Sequence, residues 1–195
     1  MSPVVPESPE EAVILERARR ALADFWTHDR LLIERRLGRR TIAHRLAVSL
    51  ERQFPGFHTD CEYSRNSRVD ELTYNFPHMS RPRRRDLIRQ GLSEQEAEAA
   101  TRQVTDSYPD IIVHVRERSD LNVLVVEVRL LDDPRGWGGE REAVEKLGRY
   151  TLQSEEGLFR YAVGLLVELG VTDRGDQSVV RQFRDGGEVG RVEWE

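Results

Sequence analysis

Through about the first forty residues, apolar side chains recur every three or four positions, the spacing of a helix with one buried face. The segment Ser8–Glu11 is a typical helix start, because it combines a capping serine, a proline and two acidic residues. A second helical segment is predicted over Asp29–Leu37, ending at Gly38. We therefore expect a helical N-terminal extension over residues 1–40, with its buried stripe at Val13, Ile14, Ala18, Ala21, Leu22 and Phe25.

After residue 40 the apolar pattern alternates between helical and strand spacing. The charged stretch at about 66–107 is interpreted as an insertion between the first two strands. The pattern predicts an α/β domain over residues 41–195, with a mixed central sheet flanked by helices. In chain order the predicted elements are a helix, three strands, a helix and a strand: Thr41–Phe54, Phe57–Ser64, Ile111–Val115, Val123–Leu130, Arg141–Leu152 and Phe159–Leu169.

Composition narrows the class of protein. The chain has 195 residues, of which 38% are hydrophobic and 33% charged, and this suits one moderate core with a heavily charged surface. Its apolar runs are shorter than the ~20 residues that span a bilayer, and Cys61 is its single cysteine. We therefore expect a cytoplasmic protein without a membrane partner. Arginine supplies 29 of the 30 basic residues, so Lys146 is the only lysine.

Two acidic residues occupy matching positions of a predicted β-hairpin. Asp110 opens the first apolar run, and Glu127 lies inside the second. If the runs pair antiparallel about a turn near Arg118 and Ser119, the numbers of opposed residues add up to about 237, as those of Asp110 and Glu127 do. Opposed residues share a sheet face, which Arg129 also shares by strand alternation. Two carboxylates so close need a proton or a cation between them, and a divalent metal is the usual solution.

Pro109-Asp110 followed by Glu127-Val128-Arg129 resembles the motif of the PD-(D/E)XK nuclease superfamily, with arginine in the place of the lysine. The resemblance extends over residues 41–169. It implies a restriction-endonuclease-like αβββαβ core. It also implies that Asp110, Glu127 and the backbone carbonyl of Val128 hold Mg²⁺ or Mn²⁺. In the lysine position, Arg129 would stabilise charge at the phosphate, but its high pKa makes it unsuitable as a general base.

The superfamily often adds a glutamate from the helix before the first strand. The place where we expect it, just before Thr41, holds Arg39 and Arg40 instead. Glu34 is therefore the candidate for a further metal ligand, and a solvated surface acid is the alternative interpretation of that residue.

Four further residues are candidates for substrate contacts. Tyr63 and Arg65 end the first predicted strand and could face a phosphate, or could be a rim aromatic and a solvated turn residue. His114 lies on the Asp110 face of its strand and could line the same cleft. Lys146, on the predicted helix after the hairpin, could approach the site or remain at the surface.

Three hypotheses for the function follow. The first is a divalent-metal-dependent nuclease that hydrolyses DNA, in preference to RNA, in bacterial defence or DNA processing. The second is a nuclease fold that has lost its chemistry and serves as a binding or assembly subunit, with a protein partner or as a homodimer. The arginines at two expected site positions and the net charge of −5 favour this second hypothesis. The third is an unrelated α+β interaction domain whose acid pair is a surface coincidence.

Overall fold

The computed structural model of the chain describes residues 6–62, 88–89, 91–96, 108–131, 139–154, 159–172 and 175–194. The chain divides into a larger unit, Met1–Arg68 with Pro109–Glu195, and a smaller unit, Val69–Tyr108. In the smaller unit, Ser93 and Glu96 form a capping box. The Ser93 hydroxyl accepts the backbone N–H of Glu96, and the Glu96 carboxylate accepts that of Ser93.

The predicted order of a helix, three strands, a helix and a strand is present in the larger unit. Its described elements are α1 (Glu11–Glu34), α2 (Arg39–Gln53), β1 (His58–Cys61), β2 (Ile111–Val115), β3 (Arg118–Leu130), α3 (Glu140–Thr151), β4 (Val163–Thr172), β5 (Gly175–Arg184) and β6 (Gly187–Trp194). Within the described residues, no helix has the length and apolar character needed to cross a membrane.

The six strands form one mixed sheet in which each strand lies beside the next along the chain. Neighbouring strands run antiparallel except β3 and β4, which are parallel. A parallel pair needs a crossover connection, and α3 lies in that crossover. The predicted α/β class, with a mixed sheet and helices, is thereby confirmed.

Each face of the sheet carries its own hydrophobic core. Helices α1 and α2 pack on one face, where Phe25 and Leu50 meet Val126 and Leu165. Helix α3 packs on the other face, and there its Leu147 and Tyr150 join a cluster with Ile112, Val125, Leu166 and Phe183. Because side chains alternate along a strand, Asp110 and Glu127 belong to the α3 face, two residues from Ile112 and Val125 respectively.

The predicted second helix over Asp29–Leu37 is wrong as a separate element. Residues 29–34 are the last turns of α1, and the chain turns only at Arg36, whose φ is 48°. Side-chain pairs support the longer helix, because Arg30 pairs with Glu34 along it and Asp29 pairs with Arg45 of α2. Helix α1 therefore packs into the same core as the sheet.

The hairpin between β2 and β3 has the predicted register at its base. Ile111 lies opposite Val126, and Val113 lies opposite Leu124. The predicted turn near Arg118 and Ser119 is wrong, because both residues belong to β3 and the turn consists of residues 116–117. Two register shifts between Val113 and Val115 absorb the difference, so the irregularity stays at the tip of the hairpin.

Candidate active site

Asp110 stands immediately before β2 and is buried. Its Oδ2 accepts a hydrogen bond from the backbone N–H of Val128 at 2.8 Å. This bond ties Asp110 to β3 next to Glu127, and the two acids lie one residue beyond the last pair of the β2–β3 ladder, Ile111 with Val126. The two carboxyl groups, called the acid pair below, are therefore held on one face of adjacent strands.

Glu127 is almost completely buried, with 1% of its surface exposed, although it is an acid in the centre of the sheet. Its Oε2 lies 3.6 Å from Nζ of Lys146, while its Oε1 has no hydrogen-bond partner among the described residues. Burial raises the pKa of Glu127 to about 8, and the charge of Asp110 adds to the effect, whereas Lys146 and Arg39 oppose it. Glu127 is thus a carboxyl group whose charged form is poorly compensated.

Asp110 is in a similar but better compensated position. Burial raises its pKa, while the charge of Arg39 and the hydrogen bond from Val128 act in the opposite direction. Nε of Arg39, the first residue of α2, lies 3.4 Å from Oδ1 of Asp110. Each oxygen of Asp110 therefore has a partner, one on β3 and one on α2.

Lys146 and Arg129 differ in what they contact. Lys146 extends from α3 to Glu127, with only 11% of its side chain exposed, and its Nζ also lies 3.9 Å from Glu142. Arg129 forms its ion pair with Glu168 at 3.6 Å, because the parallel register of β3 and β4 puts these two residues side by side. The cation that contacts the acid pair from the α3 side is thus Lys146, whereas the sequence favoured Arg129 for that place.

Of the other predicted site residues, Val128 contacts the acid pair, Glu34 has its partner elsewhere, and two lie outside the described residues. Glu34 pairs with Arg30 at the end of α1, in an exposed network that includes Asp176. Val128 contacts Asp110 through its N–H, and the role of its carbonyl oxygen as a metal ligand stays a prediction. Tyr63 and Arg65 fall outside the described residues.

His114 belongs to a second polar group on the same sheet face, in which His114 itself is buried, Asp60 is partly buried and Arg116 is exposed. Its Nε2 lies 2.9 Å from Oδ2 of Asp60, which also accepts a hydrogen bond from Nε of Arg116, while Nη2 of Arg116 binds Oδ1 at 2.5 Å. Burial alone would raise the pKa of Asp60, but the hydrogen bonds from Arg116 and His114 outweigh it and lower that pKa. Burial lowers the pKa of His114, and Asp60 opposes this shift. We call Asp60, His114 and Arg116 the Asp60 cluster.

Two contacts of these groups were not predicted as such. From the sequence, Arg39 was identified only as the residue in the place of an expected glutamate. Its position at the start of α2 is the signal from which its contact with Asp110 could have been predicted. Asp60 shares one face of the short polar strand β1 with His58, a pattern that gives no indication of a partly buried cluster. Only the pairing of β1 with β2 brings Asp60 next to His114 and Arg116.

The acid pair suits a hard divalent cation. Mg²⁺ is commonly bound by one or two carboxylates, with water and substrate phosphates completing its coordination. Glu127 Oε1 is an oxygen of this kind, buried and without a hydrogen-bond partner among the described residues. Within those residues there is no group of three or more His, Cys, Asp or Glu side chains placed to hold a metal.

We compared the chain with protein-family models, curated proteins and solved structures, and none of them matched. The function of the chain must therefore be inferred from the geometry of the acid pair.

Proposed function

We propose that this protein is a divalent-metal-dependent nuclease, with Asp110 and Glu127 as the carboxylates that hold Mg²⁺ or Mn²⁺. The observation that carries the proposal is Glu127, which is buried in an apolar sheet with one oxygen lacking a hydrogen-bond partner among the described residues. Burial of a charge is costly without compensation, and strongly shifted carboxyl groups concentrate at functional sites. The position of Asp110 beside Glu127, one residue beyond the pair Ile111 and Val126, is the arrangement that the nuclease hypothesis requires.

The topology supports the same proposal. In the mixed sheet β2 runs against both neighbours, and α3 connects β3 to the parallel β4. We infer from this order, from α2 to β4, that the sheet is a restriction-endonuclease-like core. The substrate we propose is DNA in preference to RNA, in a defence or DNA-processing role.

The chain's own residues would divide the work of hydrolysis. When bound, the metal ion would activate a water molecule and offset charge on the phosphoryl oxygens. Asp110 and Glu127, with the Val128 carbonyl, would fix its position. Lys146 would stabilise the negative charge that develops as water adds to phosphorus and the P–O bond to the leaving alcohol breaks. Arg129, held by Glu168, would order the end of β3 instead of acting at the phosphate.

The test is cleavage of plasmid and single-stranded DNA by the purified protein with Mg²⁺ or Mn²⁺. We expect cleavage by the wild type, at least a ~100-fold loss in an Asp110→Ala, Glu127→Ala double variant, and activity within about threefold in the control Asp60→Asn. Cleavage that persists in the double variant would contradict the proposal.

The roles of the two cations can be separated in the same assay. We expect Lys146→Met to lower the cleavage rate at least ~10-fold, because a charge beside Glu127 is lost. Arg129→Met should lower it less than about threefold. A larger loss of cleavage rate in Arg129→Met than in Lys146→Met would show that Arg129 on β3 is the catalytic cation.

A second candidate function is a catalytically silent fold that serves as a binding or assembly subunit, with a protein partner or as a homodimer. The observation in its favour is that each acid already has an internal cation, Arg39 on Asp110 and Lys146 on Glu127. A folded wild type that neither cleaves DNA nor binds Mn²⁺ would select this function.

A further inference from the structure

Arg39 is the most accessible of the partners that hold the acid pair. Its side chain is 31% exposed, while that of Asp110, to which its Nε is bound at 3.4 Å, is 5% exposed. Lys146, by comparison, is 11% exposed and is held by both Glu127 and Glu142. Of the two cations, Arg39 can therefore leave the pair for solvent at the smaller cost.

Helix energetics do not account for an arginine at this position. Arg39 and Arg40 begin α2, whose first turn contains no acidic residue and whose N-cap is Gly38. Cations at the positive end of a helix dipole are unfavourable, by a few tenths to about 1 kcal/mol. Each arginine is compensated by an acid outside the helix, Arg39 by Asp110 and Arg40 by Glu62.

We propose that Arg39 is an internal counter-cation of Asp110 that a divalent metal must displace, so that Arg39 sets the metal affinity of the acid pair. This inference rests on the proposed function. The guanidinium occupies the Oδ1 side of Asp110, because Oδ2 is taken by the Val128 N–H. A metal ion bound there would compete for the same oxygen and would be repelled by a positive charge left in place. Without added metal, the charge of Arg39 balances that of Asp110, and the site is inactive.

The chain offers a matched control for this inference. Arg40 is adjacent in sequence, is 85% exposed and pairs with Glu62 at 2.7 Å. Replacement of either arginine by glutamine removes one positive charge from the same helix turn. Only Arg39→Gln removes the partner of Asp110.

The experiment is a titration of the full chain with Mn²⁺, followed by the signal of the free ion in electron paramagnetic resonance. We expect Arg39→Gln to bind Mn²⁺ about tenfold more tightly than the wild type, and Arg40→Gln to stay within about twofold. Arg39→Lys, which keeps the charge, should resemble the wild type, and Arg39→Met, which also removes the charge, is used if the glutamine variant does not fold. Equal affinity in Arg39→Gln and the wild type would overturn the inference.

The outcomes separate this inference from the proposed function. If the wild type and the Arg39 and Arg40 variants bind Mn²⁺ equally, and the Asp110→Ala, Glu127→Ala protein does not bind it, the Arg39 inference fails and the metal site stands. If Arg39→Gln binds Mn²⁺ and the wild type does not, the inference stands and explains an inactive wild type. If none of these proteins binds Mn²⁺, both proposals fail.

Discussion

Two acids on the same face of the sheet, Asp60 and Glu127, are stabilised in opposite ways. Asp60 accepts three hydrogen bonds from His114 and Arg116, and its pKa is lowered. Glu127 has a single cation at 3.6 Å and one oxygen without a hydrogen-bond partner among the described residues, and its pKa is raised to about 8. The difference follows their positions, because Asp60 lies on the edge strand β1 and Glu127 on the central strand β3.

The comparison distinguishes an acid that stabilises the fold from one that the fold stabilises poorly. The charge of Asp60 is compensated by the chain itself, so the Asp60 cluster needs no ligand. The charge of Glu127 is left partly uncompensated next to a second buried carboxyl group, and such a group is a candidate for binding a cation. Replacement of the acid by its amide should therefore lower the free energy of unfolding at Asp60 but not at Glu127.

The largest expected effect is on stability after replacement of each acid by its amide. Asp60→Asn should lower the free energy of unfolding by about 2 kcal/mol, because charge-assisted hydrogen bonds are lost. Glu127→Gln should leave it unchanged or raise it at pH 8, since a poorly compensated buried charge is removed. Urea unfolding without metal measures both values. A larger loss in Glu127→Gln than in Asp60→Asn would reverse the comparison.

A smaller effect is expected from removal of the cation beside Glu127. Lys146→Met should lower the free energy of unfolding by about 1–2 kcal/mol at pH 8. This loss is smaller than the loss for a buried ion pair whose remaining partner stays charged, because Glu127 can take up a proton. In the double variant with Glu127→Gln the loss should be smaller, and a double-mutant cycle measures this coupling. Strict additivity of the two substitutions would show that Lys146 and Glu127 do not interact.

A pH dependence of stability is also expected, with a small change for each pH unit. The pKa of Glu127 is raised from its ordinary value of 4.5 to about 8, so between these values the folded protein binds more protons than the unfolded chain. Its contribution to stability is present below pH 4.5 and is lost as the pH rises through 8, by at most about 1.4 kcal/mol per pH unit. Metal-free wild type should therefore lose stability from pH 5 to pH 8 relative to Glu127→Gln. Parallel pH profiles of the two proteins would contradict the raised pKa.

The strand pairing could be predicted from the sequence because it depends on local patterns. Alternation and a short connection fixed the register of Ile111 with Val126, and hence the opposition of Asp110 and Glu127. The turn was misplaced because the shifts between Val113 and Val115 leave no mark in the apolar pattern. Bulges of this kind depend on tertiary contacts as well as on local sequence.

The partners of the acid pair were harder to predict because they come from elements distant in sequence. Spacing put Arg129 on the Glu127 face, but the parallel pairing with β4 provides Glu168 as its nearer partner. Lys146 was a candidate because it lies on the predicted helix after the hairpin, yet its contact with Glu127 depends on how α3 crosses the sheet. Arg39 reaches Asp110 only because α2 begins at the end of β2 where Asp110 lies.

Calorimetric titration of Mn²⁺ into the wild type, an Asp110→Asn, Glu127→Gln variant and Asp60→Asn tests the central claim most directly. The account predicts one site of the same affinity in the wild type and in Asp60→Asn, and no binding in the double variant. Equal binding in all three proteins, or no binding in the wild type and in Arg39→Gln alike, would show that the acid pair is not a metal site.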